Sequence, residues 1–382
     1  SATLAMSQKS AELKAQGIDI INLSVGEPDF DTPDHIKEAA KKAIDENYSR
    51  YSPVAGYPAL RKAIVAKLKN ENGLDFTPDQ IVCSNGAKQC VCNAVMALVS
   101  PGEEVIIPAP YWVSYPQMVL MADGKPVFVE ATIEQDFKIT PAQLEAAITP
   151  KTRAIILCSP SNPTGSVYSQ EELEALAEVL RKHDGVYVIS DEIYEHINYV
   201  GHHASIARCE GMKDRTVVIN GVSKAYAMTG WRLGYACAPE TILKQMLKIH
   251  QFAIMCAPTT SQYAAVEAMK NGDEDVAQMR EEYNGRRRYV LHRFKEMGLK
   301  CFEPFGAFYA FPSIKEFGMT SDEFATKLLN SKKIAVVPGT AFGECGEGFL
   351  RISYAYSLDD LKEALGRIEE FVTELRAGMD NK

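Results

Sequence analysis

The chain has 382 residues, with Lys+Arg 41 against Asp+Glu 50, a formal net charge of -9 and 46% hydrophobic residues. At ~150 residues per domain, this length predicts two or three domains and a core large enough to fold without staples. The acidic balance and the lack of a Lys/Arg-rich block exclude an ordinary nucleic-acid binder, and the apolar content excludes a disordered chain.

No apolar run reaches the ~18 residues of a membrane helix, and the start lacks the charged-then-apolar pattern of a secretion signal. The chain opens at Ser1 rather than Met, so residues preceding it are expected. Nine scattered cysteines (Cys83, Cys90, Cys92, Cys158, Cys209, Cys237, Cys256, Cys301 and Cys345) read as reduced thiols, mostly in the core, of a cytoplasmic protein. There is no CxxC, HExxH or histidine cluster, so no metal is expected.

In chain order, apolar runs predict strands at Gln80–Ser84, Glu104–Pro108, Lys125–Val129, Arg153–Cys158, Gly185–Ser190, Thr216–Asn220 and Leu233–Ala238. Helical patterns lie between many of them, at Ala87–Leu98, Val113–Met121, Gln143–Ile148 and Gln170–Arg181. Ser169 with Glu172 reads as a capping box. Uniformly apolar strands separated by helices predict an α/β fold with a mainly parallel mixed sheet covered on both faces. Glu240 to Met297 reads as helical, broken at Ala257-Pro258. The last hundred or so residues change to an α+β style, with strands at Phe308–Phe311, Ile334–Val337 and Phe349–Tyr354 and helices at Ser321–Leu329 and Leu358–Leu375. This predicts a large domain at 30–285 and a smaller α+β domain assembled from both chain ends, 1–29 and 286–382.

Ligands of open α/β sheets bind beyond the carboxyl ends of the strands. Polar constellations follow four of the predicted strands: Asn85-Gly86-Ala87-Lys88, Ser159-Pro-Ser-Asn162-Pro-Thr-Gly165, Asp191-Glu-Ile-Tyr194 and Gly221-Val-Ser223-Lys224, with Arg232 eight residues beyond the last lysine. Each alone has a structural explanation: a helix cap for Asp191-Glu192, a turn for Ser-Asn-Pro-Thr-Gly, a surface lysine for Lys224. The chain has no GxxxxGK[ST] phosphate loop, which excludes a P-loop ATPase, and the dinucleotide fingerprint GxGxxG is missing after the first strand. Together, an amine, a buried-strand carboxylate and an anion-binding helix start suit pyridoxal phosphate.

The segment Gly221-Val-Ser223-Lys224-Ala-Tyr-Ala-Met-Thr-Gly-Trp231-Arg232-Leu-Gly234 resembles the lysine signature of the fold-type I, class I aminotransferases. The resemblance extends from Val25-Gly26-Glu-Pro-Asp-Phe-Asp-Thr-Pro33 to Phe349-Leu-Arg351-Ile-Ser-Tyr-Ala355. It implies pyridoxal 5'-phosphate as cofactor and a role for each matching residue. Lys224 would bond covalently to the cofactor aldehyde and, once displaced, move a proton between substrate and cofactor. Asp191 would pair with the ring nitrogen, Asn162 and Tyr194 would bind the 3'-oxygen, and Trp112 would stack on the ring. Gly86, Ala87 and Lys88 at a helix start, with Ser223 and Arg232, would hold the phosphate. Tyr51 would reach that phosphate from the other subunit of a homodimer. Arg351 would grip the substrate α-carboxylate, approached by the Gly26 backbone on a movable Val25–Pro33 loop.

Within the family, Gly-Ala-Lys88-Gln and Pro-Tyr-Trp112-Val-Ser-Tyr-Pro resemble a bacterial branch of aspartate aminotransferases. There, the position of Lys88 meets the distal carboxylate of the substrate, and Gln251–Pro258 carries no arginine for that task. The implied reaction is L-aspartate plus 2-oxoglutarate to oxaloacetate plus L-glutamate. Alternatives in the same fold are an aromatic, kynurenine or glutamate/prephenate aminotransferase, or a cysteine-sulfur β-lyase. A cofactor-binding DNA regulator would need a further domain that these residues do not supply.

Overall fold

The structure is a computed structural model and describes residues 1–380. The N-terminal stretch forms α1 (Ala2–Ala15), β1 (Ile21–Asn22), α2 (Asp34–Asp45) and α3 (Pro58–Asn72). The Ser1 hydroxyl caps α1 by accepting from the Leu4 amide. Gly73, left-handed at φ 64°, terminates α3.

The middle alternates strand and helix: β2 (Ile81–Ser84), α4 (Gly86–Leu98), β3 (Glu104–Ala109), α5 (Tyr115–Met121), β4 (Lys125–Glu130), α6 (Pro141–Ala147), β5 (Thr152–Cys158), α7 (Gln170–Arg181), β6 (Tyr187–Asp191), β7 (Thr216–Gly221) and β8 (Gly234–Cys237). Each lies at its predicted place, and the Ser169–Glu172 capping box opens α7. The strands form one seven-stranded sheet in the order β2-β8-β7-β6-β5-β3-β4. Strands β3 to β7 run parallel, and β8 runs antiparallel to both β7 and β2.

Successive strand residues face opposite sides, and both sides are covered. Ile107, Ile156 and Ile189 pack with Val91 and Val95 of α4, whereas Ile106, Ile155 and Val188 pack with Leu173, Leu176 and Leu180 of α7. This two-sided burial is why the strands read as unbroken apolar runs.

The remainder comprises α8 (Glu240–Ile254), α9 (Thr259–Asn271), α10 (Asp273–Glu296), β9 (Tyr309–Ala310), α11 (Ser321–Lys332), β10 (Ile334–Ala335), β11 (Val337–Pro338), β12 (Leu350–Ser353) and α12 (Leu358–Asp380). The expected break at Ala257-Pro258 is present, and a second one occurs at Gly272. A Cβ there would lie 2.4 Å from the Ala268 carbonyl oxygen and 2.6 Å from the Tyr226 ring. The single strand expected over Ile334–Val337 is two. β10 pairs in parallel with β1, while β11 pairs with β12, which continues to β9. The chain changes partners at Val336, and Pro338 has no N–H with which to extend the second ladder. One apolar cluster joins Leu23 to side chains of α10, α11 and α12, and also to Ile193 and Tyr194 beyond β6. The C-terminal part thereby packs against the carboxyl end of the large sheet.

All nine cysteines are free. Only Cys83, Cys90, Cys209 and Cys237 are buried, so the expectation that most lie in the core is corrected: the other five are half-buried, Cys92 in the middle of α4 and the rest at an element end or in loops. Among the described residues no helix is long and apolar enough to cross a membrane.

Candidate active site

Parallel strands deliver their carboxyl-end residues to one side of a sheet. Here β5 ends at Cys158, β6 at Asp191 and β7 at Gly221. The loops beyond them enclose a cavity of about 340 Å³. It brings together Asn162, Asp191, Tyr194, Ser223, Lys224 and Arg232 from the large sheet's loops. Ala87 and Lys88 from α4 and Trp112 from the approach to α5 join them, with Gly26 and Arg351 from the opposite wall.

Lys224 donates to the Gly26 carbonyl oxygen at 2.5 Å. Burial, with Arg351 and Arg232 nearby, lowers its pKa to about 8, against the opposing pull of Glu27 and Asp191. Asp191 moves the other way. Its burial raises its pKa to about 6, although the Tyr115 hydroxyl and the Ile193 N–H both donate to it and oppose that shift. The two groups are therefore less charged than their types ordinarily are, which is the state of an amine and an acid awaiting a partner.

An anion cradle lies at the start of α4. Gly86 takes φ +78°, and a Cβ there would sit 2.3 Å from Arg232 Nη2, so only glycine admits the guanidinium. Gly234 clears the same corner, because a Cβ would meet the Ala87 nitrogen at 2.3 Å. Arg232 is itself left-handed at φ 53° and is anchored by donating to the Thr229 and Asn85 carbonyls at 2.7 and 3.3 Å. The free N–H groups of the first helical turn and this cation favour a phosphate.

On the opposite wall Arg351 is 3% exposed. Its Nη1 donates to Asn162 Oδ1 at 2.9 Å and its Nη2 to the Ser24 carbonyl at 2.6 Å, while buried Nε has no partner among the described residues. The guanidinium lies over the rings of Tyr309 (4.6 Å) and Phe342 (5.0 Å). The Tyr194 and Tyr309 hydroxyls share a hydrogen bond of 2.6 Å. Lys88 is exposed at the cavity, its Nζ 5.0 Å from the centre of the Trp112 ring.

Tyr51 does not line this cavity and is 81% exposed. Sequence reasoning also passed over residues that the fold brings in. Tyr115 stands three positions after Trp112 in a motif already singled out, and that spacing was its available signal. Tyr309, and Thr3, Leu4 and Ser7 of α1, carried none, because they reach the cavity only through packing of the chain ends.

Residues 18–368 match the family model for aminotransferases of class I and II. The chain belongs to this family. The aminotransferase is 46% identical to an aspartate aminotransferase of Geobacillus stearothermophilus over 99% of this chain and 97% of that protein. It is 46% identical to an aspartate/prephenate aminotransferase of Nitrosomonas europaea, over 98% and 97% of the two chains. Among solved structures it resembles the aspartate aminotransferase of Thermus thermophilus with maleate, at a TM-score of 0.93 and 43% identity over 97% of this chain and 96% of that one. It is therefore a pyridoxal phosphate-dependent aminotransferase of fold type I. The donor set fits that cofactor: an amine held below its ordinary pKa, a buried carboxylate, and a cradle that any Cβ at position 86 would fill.

Proposed function

We propose that the aminotransferase moves the amino group of L-aspartate to 2-oxoglutarate, giving oxaloacetate and L-glutamate by a ping-pong route. One observation carries this reading: the cavity has a buried arginine fork, Arg351, in one wall and a second exposed cation, Lys88, at its rim. Two separated cations with an amine between them suit a dicarboxylic amino acid. Maleate, with which the Thermus thermophilus relative was solved, is itself a four-carbon dicarboxylate and supports the same reading.

Bound pyridoxal phosphate supplies an aldehyde that condenses with amines and a ring that delocalises the electron pair left at the substrate α-carbon. Lys224 is the residue we assign to that aldehyde. Its Nζ then takes the α-proton as a base and returns it as an acid, a positioned transfer worth ~10²–10⁴ in rate. Asp191 would hold a proton on the ring nitrogen by its charge. Asn162 and Tyr194 would hydrogen-bond the 3'-oxygen, and Trp112 would stack on the ring. The backbone of Gly86, Ala87 and Lys88, with the Ser223 and Arg232 side chains, would hold the phosphate, and Arg351 with the Gly26 backbone would orient the substrate carboxylate.

The exposed Tyr51, with Phe252 at 87% exposure, supports a homodimer in which Tyr51 completes the phosphate site of the partner. The same reading divides the chain into a large domain at 30–285 and a small one built from both ends, 1–29 and 286–382. The test is the half-reaction: L-aspartate alone should yield one oxaloacetate per loaded site, with turnover resuming on addition of 2-oxoglutarate. Pyruvate released from cystathionine without an oxoacid would overturn the reading in favour of a lyase. The likeness to the Nitrosomonas aspartate/prephenate aminotransferase supports a second acceptor, prephenate, which competition assays with glutamate as donor would detect.

A further inference from the structure

We propose that Tyr115 is a positioning residue that keeps Asp191 ionised and fixed in direction toward the cofactor ring nitrogen. The proposal rests on the assignment of Asp191 above. Tyr115 is the first residue of α5 and is 2% exposed. Its hydroxyl donates to Asp191 Oδ2 at 2.6 Å. The other oxygen, Oδ1, accepts the more distant Ile193 N–H at 3.3 Å. Tyr115 is thus the close donor to this carboxylate, and it reaches it across 76 residues of sequence.

Its own placement is tightly determined. The Tyr115 N–H donates to the Trp112 carbonyl at 3.1 Å, and the two rings meet edge to face with centroids 5.3 Å apart. The residue that covers the cavity therefore also orients the residue that binds the carboxylate. The charges around Asp191 make a donor necessary. Burial and the adjacent Glu192 favour its neutral form, and Lys224 offsets this only in part. The Cys158 thiol stays protonated, pushed up to about 12 by burial with Asp191 nearby, so it adds no second anion. Burial and Asp191 keep the Tyr115 phenol far above its ordinary value, so it remains a donor at every working pH. A neutral Asp191 would lose the charge that keeps a proton on the ring, and the ring would accept electrons less readily.

The experiment uses enzyme reconstituted with ring-¹⁵N pyridoxal phosphate and compares wild type, Tyr115→Phe and Asp191→Asn. Phenylalanine preserves the ring packing and deletes only the donor. In Tyr115→Phe the ¹⁵N resonance should move toward the unprotonated position, and kcat should fall about tenfold with KM little changed, the size of one hydrogen bond to a charged group. Site-specific 3-fluorotyrosine at 115, a more acidic phenol, should move the resonance the opposite way and serves if the phenylalanine variant does not fold. An unmoved resonance in both Tyr115 variants, with Asp191→Asn moved, overturns the Tyr115 role alone. A resonance unmoved in all three overturns the Asp191 assignment beneath it. A lower melting temperature with an unmoved resonance also overturns the proposal, because it marks Tyr115 as packing only.

Discussion

Two buried lysine-carboxylate sets in this fold behave oppositely. In one, Lys67 pairs with Glu195, and Asn72 and Asn220 also donate to that carboxylate. Lys67 further donates to Asn72 Oδ1 at 2.7 Å. Burial would raise the pKa of Glu195, yet Lys67 and the nearby His196 and His203 outweigh it and hold the carboxyl far below its ordinary range. In the other set, whose carboxylate lies only four residues earlier in the chain, Asp191 is shifted up and Lys224 down. A saturated buried pair fixes its charges and becomes structure. An unsaturated one stays near its titration range, open to a ligand, and becomes chemistry.

Four substitutions test that contrast, the largest effect first. Lys224→Ala should lower turnover by at least ~10²–10⁴ while the protein still folds and retains cofactor through its phosphate and ring contacts. Borohydride trapping should then find no adduct at position 224. Turnover near wild type in this variant would place the base elsewhere.

Glu195→Gln should leave the chemistry of loaded enzyme intact and instead cost up to ~3–5 kcal/mol of stability, because Lys67 would be left buried with only the more distant and exposed Glu71, 3.8 Å away, as counter-charge. Urea unfolding reads this directly. The pH dependence has a fixed sign. The Glu195 pKa is depressed in the folded state, so its contribution is present above the ordinary carboxylate pKa of ~4.3 and is lost as pH falls further. The variant should therefore lie closest to wild type in acid. Equal destabilisation across the pH range would remove the ion pair from the account.

How much of this was readable beforehand follows from the same distinction. The parallel sheet was legible because two-sided burial writes each strand as an apolar run, as Ile155-Ile156-Leu157 does. The cavity's chemistry was legible through a family resemblance carried by contiguous motifs around Lys224 and Asp191. The roles of Glu195 and Lys67 were not, since their partners Asn72 and Asn220 are distant in sequence from Glu195 and no periodicity marks them. The split of 334–338 between two sheets was hidden too, because the run is apolar throughout and its change of partner is decided by β1 and β12.

Arg351→Lys should reduce kcat/KM by roughly 10², since an ammonium cannot reproduce the fork that spans Asn162 and Ser24. The loss should be equal for aspartate and for a monocarboxylic donor, because both present the same α-carboxylate. Steady-state assays with the two donors check this, and a loss confined to aspartate would move Arg351 to the distal end.

Lys88→Ala should give the smallest change and the most selective one. Lys88 is exposed, and its ammonium lies over the Trp112 ring, so solvent screens any charge it offers. A point charge on a flexible stem at that rim is worth about 1 kcal/mol, a fivefold to tenfold rise in KM for aspartate. A monocarboxylic aromatic donor has no distal charge to lose, so its KM should hold or fall as the rim becomes less polar. The ratio of the two specificity constants, measured on one preparation, cancels errors in cofactor loading. A fall of equal size for both donors would assign Lys88 to the phosphate at the start of α4 rather than to substrate choice, and would leave the rim without a specificity-determining cation.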